Sequence, residues 1–261
     1  MEDAFEARRF RTAAAHYLAG RPDYAPRLIR RVVELCGVRR EHRVMDLGCG
    51  PGLLAVAFAP FVREVVGVDP EPEMLRVAAA RGAPANVGWI EGGSYDLGPR
   101  FGRFFLVVMG RSFHWMDRAD TLRRMDAMIE PGGAVVLFDD THPNVPDNAW
   151  RRPWREVIER YAGGDPARGR SQSPEWMRHE AFLLDSAFAE LEELSVIERR
   201  RVAVETLIDR VLSTSTTSEA RLGARAHDLV REIRDLMAGI APEGSVTEVI
   251  ATSALIARRP G

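Results

Sequence analysis

Lysine is absent from this chain of 261 residues, so arginine supplies all 36 of its basic side chains. This absence excludes catalysis by a lysine base or by a lysine Schiff base. Cysteine is scarce too, since Cys36 and Cys49 are the only two. They are too few for a disulfide framework and are typical of a reducing compartment, so we expect a cytoplasmic protein.

Long apolar runs are missing as well. No stretch of about 20 apolar residues occurs, and the first residues lack the basic and apolar segments of a secretory signal, so we expect no membrane partner. The formal net charge is −2, although arginines cluster at several places, among them 199–201. Nucleic-acid binders usually carry a basic balance. We therefore interpret the clusters as solvated surface and expect no nucleic-acid partner.

Glycine, in contrast, is concentrated in one informative loop. The apolar segment 43–47 contains Asp46 and is followed by Gly48, Gly50 and Gly52, after which a helical pattern begins. Glycine is needed where φ is positive or where a ligand must touch the main chain. Such a loop between a strand and a helix builds a nucleotide-type pocket at the carboxyl end of a parallel sheet.

A second acid follows at the spacing of a ribose-binding carboxylate. The apolar stretch 65–68 ends in Asp69, about 20 residues beyond the first loop glycine, where an acid reaches a ribose hydroxyl pair. Dinucleotide enzymes carry G-x-G-x-x-G, whereas the glycines here alternate and follow an acid. The sequence therefore predicts a nucleoside pocket. A nicotinamide or flavin enzyme and a purely structural glycine turn are the alternatives.

Strand and helix patterns alternate along most of the chain and predict an α/β fold with a doubly wound parallel sheet. Strands are predicted at 43–47, 65–68, 87–91, 104–109, 134–138, 195–204 and 245–258. Helices are predicted at 5–37 with a break at 20–22, then at 53–61, 73–81, 121–129, 154–161, 174–182, 205–212 and 219–240. A turn is expected at 131–133, and the polar run 213–218 is either a linker or a helix N-cap.

The loop Asp46-Leu47-Gly48-Cys49-Gly50-Pro51-Gly52 closely resembles the first motif of the class I S-adenosylmethionine-dependent methyltransferases, D/E-x-G-x-G-x-G. The resemblance covers roughly residues 10–140 and extends to the type 11 branch that includes trans-aconitate methyltransferase. It implies a Rossmann-like, seven-stranded, mostly parallel sheet with helices on both faces and a helical cap after strand five. It also implies S-adenosylmethionine as cofactor, S-adenosylhomocysteine as product, and cofactor contacts from Asp46, Gly48, Cys49, Gly50, Asp69, Pro70 and Met74.

Further segments extend the cofactor site that this resemblance implies. The segment 17–26 is similar to the Y-x-x-x-R-P-x-Y-P sequence that covers the methionine end of the cofactor, which implies contacts from Tyr17 and Arg21. Arginine can hold a carboxylate in a bidentate way. The remaining implied cofactor contacts are the adenine loop, Gly93, Ser94 and Tyr95, in which Gly93 replaces the usual aspartate, and the end of strand four, Gly110 and Arg111.

The tripeptide Phe113-His114-Trp115 is characteristic of the same branch and stands beside the methyl group that is transferred. Histidine can accept or route a proton near neutral pH, so His114 is the candidate catalytic residue; a role that only lines the site is the alternative. The predicted substrate contacts are His114, Trp115, Asp139, Asp140 and His142. The pair Asp139-Asp140 could hold a metal, but adjacent residues at a strand end point apart, so we expect none.

These features predict an enzyme that methylates N or O of a small polar metabolite, with an amino-sugar-like natural product as the first candidate. A carboxylate O-methyltransferase and an inactive S-adenosylmethionine-binding protein are the alternatives. We expect a monomer or homodimer. The expected parts are a helical segment over the cofactor site (1–40), the cofactor-binding core (41–142), a helical cap with the substrate region (143–190) and the C-terminal part of the sheet (191–261).

Overall fold

The computed structural model describes residues 12–163 and 176–261, and within them seven strands form one sheet in the order β3-β2-β1-β4-β5-β7-β6. The first five strands run parallel, and β7 is antiparallel to both β5 and β6. The predicted seven-stranded, mostly parallel sheet is thereby confirmed. The strands are β1 Arg43–Leu47, β2 Glu64–Asp69, β3 Val87–Glu91, β4 Phe104–Gly110, β5 Ile129–Thr141, β6 Glu190–Ala203 and β7 Ser245–Arg258.

Helices lie on both faces of this sheet. Side chains alternate along a strand, so Val44 packs in the cluster with α2 and α3, whereas Met45 packs in the cluster with α5 and α7. A third apolar cluster joins α6, α8 and α10. The helices are α1 Ala13–Gly20, α2 Pro26–Leu35, α3 Leu53–Phe58, α4 Pro72–Ala80, α5 Arg118–Asp126, α6 Arg151–Ala162, α7 His179–Leu184, α8 Val204–Leu212, α9 Glu219–Leu222 and α10 Arg225–Ile240.

Several boundaries differ from the predictions. The helix expected at 219–240 is divided at Gly223, whose φ of +56° ends α9 before α10 begins. The helix expected at 121–129 begins earlier, because the Asp117 carboxylate caps the Asp120 N–H, and ends earlier, because Ile129 already belongs to β5. The turn expected at 131–133 is an irregularity inside β5. Parts of the predicted helices, 5–11 and 174–175, lie outside the described residues.

The polar run 213–218 is packed into the protein, so its interpretation as a linker is wrong. Ser213 and Thr217 are fully buried. The Thr217 hydroxyl donates to the Val211 carbonyl (2.6 Å) and lies 2.6 Å from the hydroxyl of Thr214. Ser218 does stand at the N-cap of α9, but its side chain makes no capping hydrogen bond. The hydroxyls instead satisfy carbonyl groups at the end of α8.

Helix α1 is docked on α8 by close backbone contact. A Cβ on Gly20 would lie 2.3 Å from the Arg210 amide nitrogen, so only glycine permits this approach. The Arg210 Nε donates to the Gly20 carbonyl (3.1 Å), and His16 Nδ1 lies 2.7 Å from an Asp209 carboxylate oxygen. Since Tyr17 lies within α1 and Arg21 follows it directly, this docking fixes both side chains over the carboxyl edge of the sheet.

A cluster of buried ion pairs connects β7 to helix α8. Glu248 of β7 is fully buried and accepts hydrogen bonds from Arg210 (2.5 Å) and Arg200 (2.7 and 2.8 Å). His142 Nε2 lies 2.9 Å and Arg151 3.6 Å from the same carboxylate. Burial opposes ionisation, but the hydrogen bonds from His142 and Arg210 outweigh it and hold the pKa of Glu248 well below its usual range. This carboxylate compensates several buried cations at once.

We expect Glu248→Gln to lower the free energy of unfolding by about 3–5 kcal/mol, because it leaves buried cations without their anion. Glu205→Gln is the control, since it removes a carboxylate 2.9 Å from Arg234 in an exposed pair and should cost less than about 1 kcal/mol. Urea unfolding near neutral pH measures both. The difference should shrink in acid, because the stability contributed by a depressed folded pKa is complete above the ordinary glutamate pKa and is lost progressively as the pH falls below it. Equal losses in the two variants would contradict the prediction.

Candidate functional site

The glycine loop between β1 and α3 has the backbone that its sequence predicts. Gly48, Gly50 and Gly52 have φ of +69°, +52° and +80°. The amides of Gly48 and Cys49 both donate to the Val68 carbonyl (2.7 and 3.0 Å), which ties the loop to β2. Cys49 is a buried free thiol. The loop therefore presents its remaining backbone toward the carboxyl edge of the sheet.

Trp89 is a further determinant of this loop that the sequence analysis missed. A Cβ on Gly52 would lie 2.2 Å from the Trp89 ring, and a Cβ on Gly67 would lie 2.5 Å from it. Gly67 and Trp89 are direct partners in the pairing of β2 with β3. The signal in the sequence was a glycine in one strand paired with a large aromatic in the next, but register is needed to recognise it.

Two buried carboxylates end β1 and β2. Asp46 accepts a hydrogen bond from the Ala55 amide of α3 (2.9 Å), and burial raises its pKa to about 7. Asp69 accepts hydrogen bonds from the amides of Gly50 (2.7 Å) and Glu71 (2.9 Å), and burial raises its pKa to about 6. Both acids thus hold a loop or a helix start, and each titrates far closer to neutrality than an ordinary aspartate.

A cavity beside the loop brings distant predicted residues together. Its lining includes Tyr17 of α1, Asp46, Gly48, Cys49 and Gly110. Tyr24 also lines it, and a Cβ on Gly110 would lie 2.1 Å from the Tyr24 hydroxyl oxygen, so glycine is required there. Tyr24 was not among the predicted site residues, although it belongs to the same sequence segment as Tyr17. Packing, which one sequence does not display, gives it this place.

Arg111 and Arg21 form the cationic wall of the site. Arg111 has a φ of +56°; its Nε lies 2.5 Å from an Asp140 carboxylate oxygen, and its Nη2 donates to the Pro22 carbonyl (3.1 Å). The positive neighbours Arg111, His142 and Arg21 overcome the effect of burial and lower the pKa of Asp140. Among the described residues, the buried Nε of Arg21 has no hydrogen-bond partner. Asp140 is therefore committed to an ion pair, while Arg21 retains an unused donor.

A second cavity, whose lining includes Arg111, contains His114 and Asp139. Burial, together with the neighbouring His179 and Arg118, lowers the pKa of His114 to about 4, so this ring is neutral at pH 7. Burial and the neighbouring Asp140 raise the pKa of Asp139. Phe113, Leu137 and Phe138 supply apolar walls. The cleft thus offers one carboxylate, the imidazoles of His114 and His179 and the guanidinium of Arg111 beside these apolar walls.

His179 is a residue of this cleft that sequence analysis missed. It begins α7, lines the cavity, and places its Nδ1 3.3 Å from Arg118 Nη1. Burial and Arg118 lower its pKa. It follows the segment 143–178, in which the sequence resemblance is thin, so no motif pointed to it. Helix α7, which lies between α6 and β6 in the chain, thus contributes a side chain to the cleft.

The other predicted site residues are not among those that line either cavity. Met74 is buried, and its Sδ lies 4.0 Å from where a Cβ on Gly50 would stand; Pro70 follows Asp69. Gly93, Ser94 and Tyr95 form the turn after β3, where Tyr95 is 62% exposed. The Trp115 ring lies 4.8 Å from that of His114.

His142 has a different environment from the other predicted substrate contacts. It lies in the cluster around Glu248 and not among the residues that line the cleft. Its neighbour Asp139, in contrast, does line the cleft. Residues 12–163 and 176–261 contain no group of three or more metal-ligating side chains. No helix in these ranges is long and apolar enough to span a membrane.

Comparisons with known proteins agree with this geometry. Residues 44–133 match the model of a methyltransferase domain. The chain is 30% identical over 226 residues to an uncharacterized methyltransferase of Mycobacterium tuberculosis, covering 86% of this chain and 84% of that protein. The crystal structure of YcgJ from Bacillus subtilis superposes with a TM-score of 0.53 at 18% identity, covering 91% of this chain and 100% of the other.

A second solved structure shares the fold and carries a ligand. It is a SAM-dependent methyltransferase from Geobacter sulfurreducens in complex with S-adenosylhomocysteine, with a TM-score of 0.52 at 15% identity over 96% of this chain and 98% of the other. The sheet order and the glycine loop define a Rossmann-like methyltransferase fold. The chain belongs to the methyltransferases, as its sequence resemblance predicted.

We expect Asp69→Asn to weaken binding of S-adenosylhomocysteine at least about tenfold, because a hydrogen bond to a charged group contributes about 1.5–3 kcal/mol. Binding by the unaltered protein should also weaken as the pH falls below about 6, where Asp69 takes up a proton. Isothermal titration calorimetry measures both effects. Glu64→Gln, at the opposite end of β2, is the matched control and should bind normally. Unchanged affinity in Asp69→Asn would contradict a role for this carboxylate in cofactor binding.

Proposed function

We propose that this methyltransferase acts on a nitrogen or oxygen of a small polar metabolite, with an amino-sugar-like natural product as the first candidate. The observation that carries the proposal is the second cavity, where Asp139 and the neutral His114 lie beside apolar side chains. A cleft of this kind suits a small molecule whose reacting group arrives with a proton.

The residues around the first cavity fit S-adenosylmethionine, the cofactor that the sequence resemblance implies. Asp69 would accept the ribose hydroxyls, and the carboxylate of Asp46, with Tyr17 nearby, would hold the amine of the methionine end. Arg21, whose buried Nε has no partner among the described residues, would bind the methionine carboxylate. The turn at 93–95 would contact the adenine. This donor set matches the chemistry of the cofactor at both of its ends.

When bound, S-adenosylmethionine supplies a methyl group on a sulfonium, which makes its transfer an in-line displacement. The task of the protein is then mainly alignment, and alignment alone can lower a barrier by about 7–11 kcal/mol. Arg111 lines the acceptor cleft, and its ion pair with Asp140 fixes the end of β5. Phe113 and Phe138 would give the acceptor side apolar walls.

Asp139 is the group best placed to take the acceptor's proton. Its neighbour Asp140 is committed to Arg111, whereas Asp139 accepts only the Asp140 amide (2.8 Å) among the contacts of the described residues. Its raised pKa makes it a stronger base than an ordinary aspartate, while the lowered pKa of His114 makes that ring a weak one. In this proposal Asp139 binds an amine or hydroxyl, and His114 orients it.

A carboxylate acceptor is the second candidate function, because of Arg111. Among the described residues its buried Nη1 has no hydrogen-bond partner, and Arg111 lines the acceptor cleft. A carboxylate acceptor needs no base, so Asp139 would then be dispensable. A protein that binds the cofactor without turnover is the third candidate. Only an assay of methyl transfer distinguishes it from the first two.

A screen for methyl transfer tests the proposal. The protein is first titrated with S-adenosylmethionine, S-adenosylhomocysteine and NADH in a calorimeter, and then supplied with S-adenosylmethionine and matched panels of amines, hydroxyls and carboxylates. Formation of S-adenosylhomocysteine with amine or hydroxyl acceptors is the expected result. Turnover of carboxylates alone would favour the second candidate, and tight cofactor binding without any turnover would favour the third.

We expect Asp139→Asn to lower kcat/KM for the acceptor about 100-fold or more, the effect typical of losing a general base. Affinity for S-adenosylhomocysteine should stay unchanged, because Asp139 lines the acceptor cleft and not the cofactor cavity. Asp185→Asn, on an exposed residue at the end of α7, is the charge-matched control. His114→Gln should lower the rate less than Asp139→Asn; the reverse order would make His114 the base.

A further inference from the structure

Strand β6 is the outer strand of the sheet, at the end remote from β3. Among residues 12–163 and 176–261 it pairs with β7 alone, over all of Glu190–Ala203. Most of its residues are exposed, including Ile197 at its middle, which is 65% exposed. A long edge with free backbone donors and acceptors is a template for pairing with another strand.

The charges of β6 are divided between its two halves. The first half carries Glu190, Glu192 and Glu193, and the second half carries Arg199, Arg200 and Arg201 after Glu198. A parallel copy of the strand would set like charges opposite each other. An antiparallel copy sets the acidic half of each strand against the basic half of the other, and opposite charges across a strand pair are stabilising.

We propose that β6 pairs antiparallel with β6 of a second copy of this chain, about a two-fold axis at Val196, to form a homodimer with one continuous sheet. The axis is perpendicular to the sheet. Two residues therefore face each other across the interface when their numbers add up to 392, which is twice 196. Glu193 then lies opposite the partner's Arg199, and Glu192 opposite the partner's Arg200. The interface is isologous, so each of these pairs occurs twice.

The side-chain pattern selects this register over its neighbours. A shift by one residue would turn each strand's inward side chains to the opposite face, so only even shifts are allowed. With the axis at Ser195, Glu192 would face Glu198 of the second copy. With the axis at Ile197, Glu192 would face Val202 instead. The register about Val196 alone gives two opposite-charge pairs per strand without a like-charge pair.

The pair of Glu193 with Arg199 is the one that depends most on the second copy. Arg200 is already bonded to the buried Glu248 (2.7 and 2.8 Å), and Glu192 lies 3.2 Å from Arg258. Arg199, in contrast, is 74% exposed, although Asp147 lies 2.7 Å from it. Glu193 is also exposed. Variants at 193 and 199 therefore test the interface without breaking the buried cluster.

Charge reversal measured by analytical ultracentrifugation tests the proposal. The unaltered full chain should sediment as a dimer, and Glu193→Arg or Arg199→Glu alone should raise the dimer dissociation constant about tenfold or more. The double variant, which restores both pairs with their signs exchanged, should recover most of the lost affinity. Glu156→Arg, on the exposed face of α6, is the matched control and should leave the dimer unchanged.

A cross-link fixes the register independently of the charges. Val196→Cys places two thiols directly opposite each other on the two-fold axis, so mild oxidation should give a disulfide-linked dimer. Cysteine at Glu34, exposed on α2, should not cross-link. A monomer at every concentration, a dimer indifferent to the single reversals, or a failure of the double variant to recover would each overturn the proposal. Calorimetric binding of S-adenosylhomocysteine by each variant shows that its fold is intact.

Discussion

Backbone groups at the carboxyl edge of the sheet need hydrogen-bond partners where the chain leaves β1 and β2, and two buried carboxylates provide them. Asp46 holds the first turn of α3, and Asp69 holds both Gly50 and the start of α4. The same burial that makes these bonds strong raises both pKa values toward neutrality. A cation or a pair of hydroxyl groups bound beside these carboxylates would stabilise their ionised form. The groups that shape the loop are therefore also suited to bind a ligand.

The opposite end of the chain completes the site. Glu248 lies in the last strand, yet through Arg210 it is linked to the Gly20 carbonyl and so to the helix that carries Tyr17. Glycine at position 20 allows the two helices to touch backbone to backbone. Residues separated by most of the sequence are thereby connected to the helix whose Tyr17 lines the first cavity.

Local patterns allowed much of the fold to be predicted. Alternation of strands and helices, with the glycine loop, gave the bounds of β1, β3 and β7 as the structure has them. The helix predicted at 219–240 is divided in the structure at Gly223, because the positive φ of this glycine depends on tertiary packing that the sequence does not display. Trp89, Tyr24 and His179 were missed because each acts across a packing contact that one sequence does not display. The motif therefore located the pocket, and only the packed structure showed what surrounds it.

Adjacent carboxylates at the end of β5 have separate environments because successive residues of a strand point to opposite faces. Asp140 turns to Arg111 and is held ionised, whereas Asp139 turns to the cleft and keeps a raised pKa. One strand end thus provides a carboxylate held in an ion pair with Arg111 and a second carboxylate, with a raised pKa, that lines the cleft. Metal chelation by the two would require them to converge, and the pleat of the strand prevents this.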